Sequence, residues 1–314
     1  MRIASAVGSR LVWTVPTLLL ATLVAFLLQQ LIPGDQAVAL AGEYATDEKL
    51  AAIRADLGLD RPVLARYLDW VGGVATGDLG TSYRTGQPVS EIVLDRLPVT
   101  LLLTLFALLV AIVIGVPSGV AAAQRPGSWA DRLFTTAATA GIAIPNFWLG
   151  MMLIAVFALH LGWLPGPGGV DVADDPANAL RALVLPSIAL GMVGSAEICR
   201  QVRSAMIESL GSDYVRTLRA SGLPRRSVVW RHALKNSSLP LATILGIQVS
   251  HLVGGAVVVE AVFGLSGIGS LVVEATNQRD YVVIQAVVLL AAVIVLATNL
   301  VVDISYRLLD PRIS

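Results

Sequence analysis

Polar side chains interrupt several long apolar stretches of this sequence, and these are the side chains able to bind or pass a solute. They are Asn146, Gln248, His251, Glu260 and Gln285. Polar groups are costly against lipid and tend to face protein or water, so the five are candidates for a polar path through a membrane. The alternative is that each forms a hydrogen bond between helices, worth about 1 kcal/mol. The sequence leaves both interpretations open.

A second chemistry to consider is peptide hydrolysis, because Gly264-Leu265-Ser266-Gly267 has the G-x-S-G pattern of intramembrane serine proteases and His251 lies nearby in the chain. Such a nucleophile needs a base within hydrogen-bond reach inside a sheltered cavity. The sequence places Ser266 in a loop beyond the apolar stretch, so an intramembrane protease is only a remote alternative.

The densest positive charge lies in a loop at 200–236. Its residues predict a helix from Asp213, a break at Ser221-Gly222, and a second helix with Pro224 in its first turn, where the missing N–H is harmless. The second helix has an apolar face and a basic face, formed by Val228, Val229 and Leu234 and by Arg225, Arg226 and Arg231. On charge alone this loop is typical of a patch that lies on anionic lipid.

The amino-acid composition indicates a membrane protein, in which helices that span the bilayer would position the polar side chains and the loop described above. The 314 residues are 55% hydrophobic and 14% charged, against roughly 25% charged in soluble proteins. Six stretches are compatible with the roughly 20 apolar residues of a membrane-spanning helix, the fourth only if it continues past Glu197 toward Cys199. They cover residues 11–34, 97–124, 133–170, 182–196, 236–259 and 281–302.

Basic residues give the predicted orientation, because they resist translocation near helix ends. With both termini in the cytoplasm, the inner side holds fourteen of the 22 basic residues and six of the 22 acidic residues. The first stretch, which follows Arg2 and Arg10, is longer than the apolar core of a signal peptide and is interpreted as an uncleaved anchor. A proton- or ion-coupled secondary transporter is disfavoured, because spans one, two, three and six have no mid-span carboxylate and no internal repeat is visible.

The remaining features define the domains and exclude some chemistries. Residues 1–96 are predicted to form the first helix and an extracytoplasmic cap, with helical patterns at 46–56, where Thr46 is a possible N-cap, and at 67–74. Residues 97–309 form the membrane domain. The only lysines, Lys49 and Lys235, lack a preceding phosphate-loop glycine pattern, so the chain is not expected to bind ATP. The single Cys199 is a packing residue that forms neither a disulfide nor a metal site.

The loop closely resembles the cytoplasmic coupling loop of binding-protein-dependent ABC importer permeases. That family's signature is Glu-Ala-Ala, three residues, Gly, nine residues, and Ile-x-Leu-Pro. Here Gly222 is followed by nine residues and then by His232, while Arg216-Thr217-Leu218 replaces Glu-Ala-Ala and Lys235 replaces the proline. These departures match the B-type subunits of the peptide and nickel branch, which read Asp-Tyr-Val-Arg-Thr-Ala-x-x-x-Gly and Arg-His-x-Leu-x-Asn-x-x-x-Pro.

Other segments along nearly the whole chain resemble the same branch. They are Pro-Gly-Asp at 33–35, Gly-Asp-Leu-Gly-Thr-Ser at 77–82, Ile-Pro-Asn-Phe-Trp-Leu-Gly at 144–150, the loop at 260–269 with Ser266 in place of the usual proline, Arg-Asp-Tyr at 279–281 and Leu-Asp-Pro-Arg at 309–312. The missing proline weakens one loop constraint and leaves the resemblance intact.

The resemblance implies an all-α membrane protein with the type I ABC importer permease fold, six spans and a large outer loop after the first. It implies a multi-pass subunit of the bacterial cytoplasmic (inner) membrane that is not itself an enzyme. Its partners would be a second, C-type permease subunit, two cytoplasmic ATPase subunits that bind ATP and magnesium, and an extracytoplasmic binding protein. No cofactor, metal or nucleic acid is expected on this chain.

The resemblance also implies which residues meet the ATPase and what is carried. The expected coupling residues are Arg216, Thr217, Ala220, Gly222, Leu223, Pro224, Val228, Arg231, His232 and Leu234. The contact core is predicted at Gly222, Leu223 and the face from Val228 to Leu234, with the arginines setting orientation. Peptides are the default cargo, and nickel chelates, glutathione and haem-like molecules are the alternatives within the branch.

Overall fold

The computed structural model describes residues 2–29, 36–41, 46–56, 58–169 and 175–309, and the described part is almost entirely helical. The helices are α1 (Arg2–Gln29), α2 (Gln36–Ala41), α3 (Asp47–Asp56), α4 (Val63–Ala75), α5 (Val89–Ala123), α6 (Trp129–Ala143), α7 (Asn146–Leu153, continued by a π-helix at Ile154–His160), α8 (Pro176–Gly211), α9 (Asp213–Ala220), α10 (Arg225–Ser227, continued by a π-helix at Val228–Ala233), α11 (Leu234–Asn236), α12 (Ser238–Phe263), α13 (Ile268–Gln278) and α14 (Tyr281–Leu309). The matched segments at 33–35 and 310–312 lie outside the described residues.

Four helices in the described part are long and apolar enough to cross a membrane. They are α5, α8, the Pro240–Phe263 part of α12 and the Tyr281–Tyr306 part of α14, and a bent pair formed by α6 and α7 raises the number to five. The predicted stretch at 182–196 is the centre of a 36-residue helix. In α1 the described side chains form an apolar run of only Val15–Leu28. The predicted number of six spans therefore remains a prediction.

The predicted third span, 133–170, is not one straight helix. The pair Trp129–Ala143 and Asn146–His160 is bent by 98° at the break between its two parts. Ile144 adopts an extended conformation (φ −83°, ψ 121°) because the ring of Pro145 disfavours helical geometry in the residue before it. The Ile-Pro-Asn motif that the sequence placed inside a span is thus the corner where the helix changes direction.

The described chain divides into two compact units. The first contains Ile3–Pro98 and Gly267–Leu296, and the second contains Val99–Ser266 and Ala297–Ser314. In the first, the start of α5 packs on α13 and α14 through a core that includes Val89, Leu271 and Val283. The domain boundary predicted between residues 96 and 97 stays a prediction.

The second unit depends on a close crossing of α5 and α8 that only small residues permit. A Cβ atom at Gly191 of α8 would lie 2.4 Å from a carbonyl oxygen of α5, and Cβ atoms at Gly115 and Gly119 would lie 2.6 Å from the carbonyl oxygens of Ser195 and Cys199. Closely approaching backbones of this kind are typical of membrane helix pairs. The buried Cys199 is part of this contact, as its predicted packing role requires.

The outer segment of the first unit has the predicted helices. Thr46 accepts a hydrogen bond from Lys49 N (3.4 Å) at the start of α3, which is the N-cap position that the sequence predicted. The turn after α4 is held by Ser82, whose hydroxyl donates to Asp280 Oδ2 at 2.5 Å. Through this bond the Gly-Asp-Leu-Gly-Thr-Ser motif reaches the Arg-Asp-Tyr motif at the start of α14.

Candidate functional site

The loop around Gly222 forms the helix, break and helix that the sequence predicted. Gly222 N–H donates to the Arg219 carbonyl (3.1 Å) and Leu223 N–H to the Leu218 carbonyl (3.3 Å), the two bonds of a Schellman motif that ends α9. This motif requires a left-handed residue, and Gly222 supplies it with φ +78°. Pro224 lies at the N-cap of α10 (φ −67°, ψ 141°), one position earlier than predicted, and starts the second helix.

One face of the loop is packed against its own chain. Val228 is 1% exposed, and Val229 and Ala233 are also buried. Val229 and Ala233 pack in a core with Met206 and its neighbours on α8, and Leu234 lies partly buried against the same core. Val228, which the sequence predicted to contact a partner, is therefore covered inside this chain and is removed from the candidate contact set. Leu234 is only partly buried, as Leu223 and His232 are, and its predicted contact stays a prediction.

A chain of hydroxyl groups fixes the loop to the end of α8. Ser209 Oγ lies 2.6 Å from the hydroxyl of Tyr214 and 3.2 Å from the Ala233 carbonyl, to which it donates. Ser237 Oγ donates to the same carbonyl at 3.0 Å. Ser209, Tyr214 and Ser237 were not singled out from the sequence, although Tyr214 belongs to the Asp-Tyr-Val-Arg pattern. They hold both loop helices on α8.

The exposed face of the loop contains the remaining predicted residues. Arg216, Thr217, Ala220, Gly222, Pro224 and Arg231 are exposed, and Leu223 and His232 are half-buried. Trp230, 45% exposed, lies on this surface and was overlooked in the sequence. An exposed tryptophan beside arginines is the composition typical of interface centres. We name Leu223, Pro224, Trp230 and Arg231 the loop surface.

Two further arginines connect the loop region to neighbouring helices. The guanidinium of Arg203 on α8 binds both carboxylate oxygens of the buried Asp131, at 2.5 and 2.9 Å. Asp131 also accepts from Gly127 N at 2.8 Å, so the start of α6 is fixed to α8. Arg225 donates to the Gln124 carbonyl at 3.1 Å, just beyond the end of α5. The loop is thereby attached to the helix ends around it.

The predicted path residues divide into separate groups. Gln248 is buried and donates through Nε2 to Glu197 Oε2, and Nδ1 of His251 lies 3.7 Å from the same oxygen. The sequence alone predicts an ion pair between Glu197 and Arg200, three residues on in the same helix. That prediction is wrong, because the carboxylate of Glu197 turns across to Gln248 of α12 instead of along its own helix. The side chain of His251 is 62% exposed, so this Glu197–Gln248–His251 cluster has an open side.

The other three candidates are held by other contacts. Glu260 is fully buried and accepts a 2.6 Å hydrogen bond from Thr100 Oγ1, which is the interhelical alternative that the sequence left open. Asn146, at the corner between α6 and α7, accepts from Phe147 N at 2.8 Å. Gln285 is buried in the first unit, beside a cavity in the outer segment.

The geometry excludes a catalytic pair of Ser266 and His251. His251 lies twelve residues before Phe263, where α12 ends, which at 1.5 Å per residue places it about 18 Å along the helix from Phe263. Ser266 lies beyond that end, in the turn that follows the left-handed Gly264. Nucleophile and base must be within hydrogen-bond reach, and these two are not.

Comparison with known proteins gives matches over almost the whole chain. Residues 115–314 match the family described as binding-protein-dependent transport system inner membrane component, and residues 6–104 match the family of its N-terminal part. The chain is 40% identical over 324 residues to a dipeptide transport system permease of Alkalihalophilus pseudofirmus, covering 97% of each chain. It is 39% identical over 314 residues to an oligopeptide transport system permease of Bacillus subtilis, covering 99% of each.

Two further similarities bear on cargo and on fold. A glutathione transport system permease of Salmonella typhimurium is 40% identical over 304 residues, covering 97% of each chain. Among solved structures, a chain of the inward-facing MetNI methionine ABC transporter superposes with a TM-score of 0.57 at 21% identity, covering 70% of this chain and 96% of that one. This likeness shows a shared fold.

Proposed function

The chain belongs to the family of binding-protein-dependent transport system inner membrane components, and we propose that it forms half of the translocation pore of an ATP-driven peptide importer. The observation that carries the proposal is the 38–40% identity over at least 97% of the chain to permeases named for dipeptide, oligopeptide, peptide and glutathione transport. Glutathione is itself a modified tripeptide, so the named cargoes share peptide chemistry.

In the proposed assembly this chain pairs with a second permease subunit in the bacterial cytoplasmic membrane. Two cytoplasmic ATPase subunits bind ATP and magnesium, and an external binding protein delivers the peptide. The loop surface is where an ATPase docks, since it is exposed while the opposite face is buried in this chain. Exposed arginines such as Arg226 and Arg231 pair with acids of the ATPase, and Trp230 is inserted at the centre of the contact.

The mechanism follows from how firmly the loop is attached. Because Ser209, Tyr214 and Ser237 hold both loop helices on α8, a displacement of the loop surface moves the loop as a rigid body. Rigid-body motion of packed helices is the ordinary route by which nucleotide-driven closure opens one side of a site and closes the other. The chain itself contributes no hydrolytic chemistry.

The Glu197–Gln248–His251 cluster is the part of the path that the contacts favour. A carboxylate and an exposed imidazole inside long apolar helices are stable only where water or protein faces them. The open side of His251 therefore faces the pore or the second permease subunit. Glu260 is assigned to interhelical packing, because its carboxylate is fully buried and hydrogen-bonded to Thr100.

The decisive experiment is uptake by the reconstituted complex. Proteoliposomes with both permease subunits, both ATPases and the binding protein are expected to accumulate a labelled dipeptide when ATP is inside. Uptake that persists without the ATPases would contradict the proposal and favour a secondary transporter. Competition by an oligopeptide, glutathione, a nickel chelate and haem identifies the cargo, and competition by only the last two would overturn the peptide assignment.

The orientation of the chain in the membrane is tested by a separate labelling experiment. We propose six spans with both termini in the cytoplasm, which rests on the charge distribution along the sequence. A single cysteine introduced at Arg84, in the outer segment, is expected to react with an impermeant thiol reagent in intact cells. One introduced at Arg226 is expected to react only after the cells are opened.

A further inference from the structure

The carboxylate of Glu197 has one oxygen that is bonded within the protein and one that is not. Oε2 accepts from Gln248 Nε2 and lies 3.7 Å from Nδ1 of His251. Oε1 has no hydrogen-bond partner among the residues that the structure describes, and it is not one of the buried polar atoms that lack a partner. The Glu197 side chain is 25% exposed. Its second oxygen is therefore accessible from the open side of the Glu197–Gln248–His251 cluster.

No Lys or Arg neutralises this carboxylate in the part of the chain that the structure describes. The ion-pair contact of Glu197 there is with His251, which is charged only when it is protonated. Arg200, one turn further along α8, is exposed and makes no ion pair with Glu197. A carboxylate inside an apolar helix is costly unless water or a cation faces it. The cluster thus offers a negative charge to a ligand that carries a positive one.

The carboxylate is held in a defined position by Gln248. That side chain is 1% exposed, and its Oε1 packs against Gly194 of α8, where an added Cβ would lie 2.9 Å away. The amide is enclosed at its oxygen end and donates to Glu197 at its nitrogen end. A binding group whose supporting contacts are fixed in this way is already oriented before its ligand arrives.

The exposed side of α8 stays polar beyond the cluster. Gln201, Ser204 and Glu208 are exposed and follow Glu197 at intervals of three or four residues, so the four share one helix face. This face covers eleven residues of α8, about 16 Å. A polar face on a helix that is apolar enough to cross a membrane is stable only against water or protein. A ligand bound at Glu197 therefore has a polar route along α8 toward the loop.

We propose that Glu197 binds the amino-terminal ammonium group of the transported peptide, with Oε1 as the acceptor and His251 at the exposed edge of the site. This inference rests on the proposed function and names the group of the cargo that the cluster recognises. Dipeptides, oligopeptides and glutathione all carry a primary ammonium group, so one carboxylate binds each of them through a charge-assisted hydrogen bond.

The test is peptide binding by the purified complex of both permease subunits and both ATPases. The binding protein is left out, so that the measured selectivity belongs to the membrane complex. Saturation-transfer NMR titrations compare dialanine with N-acetyl-dialanine, whose amino terminus is blocked. The wild-type complex is expected to bind dialanine about tenfold more tightly, the difference expected for one charge-assisted hydrogen bond. In Glu197→Gln the two peptides are expected to bind equally.

The variants separate charge from packing. Glu197→Gln keeps the size of the side chain and an oxygen that accepts from Gln248, so the complex is expected to keep its melting temperature. Glu197→Asp keeps the charge and is expected to retain a severalfold preference for dialanine. The matched control is Glu91→Gln, which removes an equal charge from an exposed glutamate at the start of α5 and is expected to leave the preference unchanged.

Several results would overturn the proposal. Wild-type complex that does not bind dialanine, or binds both peptides equally, removes the site, and so does an unchanged preference in Glu197→Gln. N-acetyl-lysine amide that binds as tightly as dialanine shows a site for any ammonium group. Permease subunits that separate in Glu197→Gln while the peptide preference is unchanged show a subunit contact. Uptake of dialanine with the binding protein present is measured in parallel, because absence of ATP-driven uptake would refute the proposed function without changing the titration.

Discussion

Replacing Gly222 by alanine tests the proposed docking loop at its least substitutable backbone position. Gly222 has φ +78° with no atom within 4 Å of the Cβ that a side chain would add. The alanine methyl group therefore meets no steric obstacle, and the whole effect is conformational. A left-handed backbone costs an L-residue roughly 1–2 kcal/mol, which changes a conformational equilibrium about 5- to 30-fold.

The expected result is a loss of ATPase binding and uptake with the membrane helices intact. If the strained loop leaves the Schellman geometry before docking, the permease is expected to bind its ATPase about 5- to 30-fold more weakly. Asparagine tolerates left-handed geometry, so Gly222→Asn is expected to recover most of the binding. Gly211→Ala is the matched control, because Gly211 also has open space around it and ends α8 without a positive φ.

The measurements are ATPase affinity for the detergent-purified permease pair and ATP-dependent uptake in proteoliposomes. Wild-type behaviour of Gly222→Ala would show that the left-handed turn is not needed for docking. Equal losses in the alanine and asparagine variants would show that a partner atom approaches the glycine itself, and the conformational reasoning would be refuted.

Three further predictions address packing, electrostatics and the loop surface. Gly191→Ala inserts a methyl group 2.4 Å from a carbonyl oxygen of α5 and is expected to destabilise the helix pair by about 1–3 kcal/mol, whereas Gly254→Ala, with open space, leaves the melting temperature unchanged or raised. Asp131→Asn leaves the partly exposed Arg203 without its carboxylate and is expected to lower the melting temperature of the complex, while a wild-type melting temperature contradicts that role. Trp230→Ala is expected to weaken ATPase binding by about 2 kcal/mol without changing the melting temperature. Val229 is buried, so Val229→Ala is expected to lower the melting temperature without changing ATPase binding.

The helix, break and helix of the loop around Gly222 were predicted correctly because the residues that determine them are close together in the sequence. Ser221, Gly222 and Pro224 encode a helix stop and a helix start within four residues, and both stay where propensity places them. The same holds for Thr46 at the start of α3. Local signals of this kind depend little on what the segment packs against.

The sequence failed where the partner lies far along the chain. Glu197 was paired with Arg200, one turn away, while its actual contact Gln248 is 51 residues distant. The apolar pattern correctly indicated a buried face, but it could not indicate that Val229 packs against α8 of the same chain instead of against another subunit. Hydrophobic periodicity predicts that a helix face is buried, but it does not identify the element that covers that face.

Two other features of the structure are indicated by local signals in the sequence. Pro145 inside a predicted span indicates a break, and the structure bends by 98° there. Gly115 and Gly119 have the spacing of a close helix contact, which is how α5 meets α8. The sequence itself therefore contains the signals for both the bend and the close helix contact.

The loop that carries the loop surface connects α8 to α12, the two helices that carry the polar cluster, and this continuity makes coupling between them a mechanical expectation. Glu197 lies fourteen residues before the end of α8 at Gly211, about 21 Å, and Gln248 lies ten residues after Ser238, about 15 Å. Both helices are bonded to the loop at those near ends by Ser209 and Ser237. A rotation imposed at the loop therefore shifts α8 and α12 together or shears one against the other. Shear would separate Glu197 from Gln248, so the Glu197–Gln248 hydrogen bond is the contact that distinguishes the two motions.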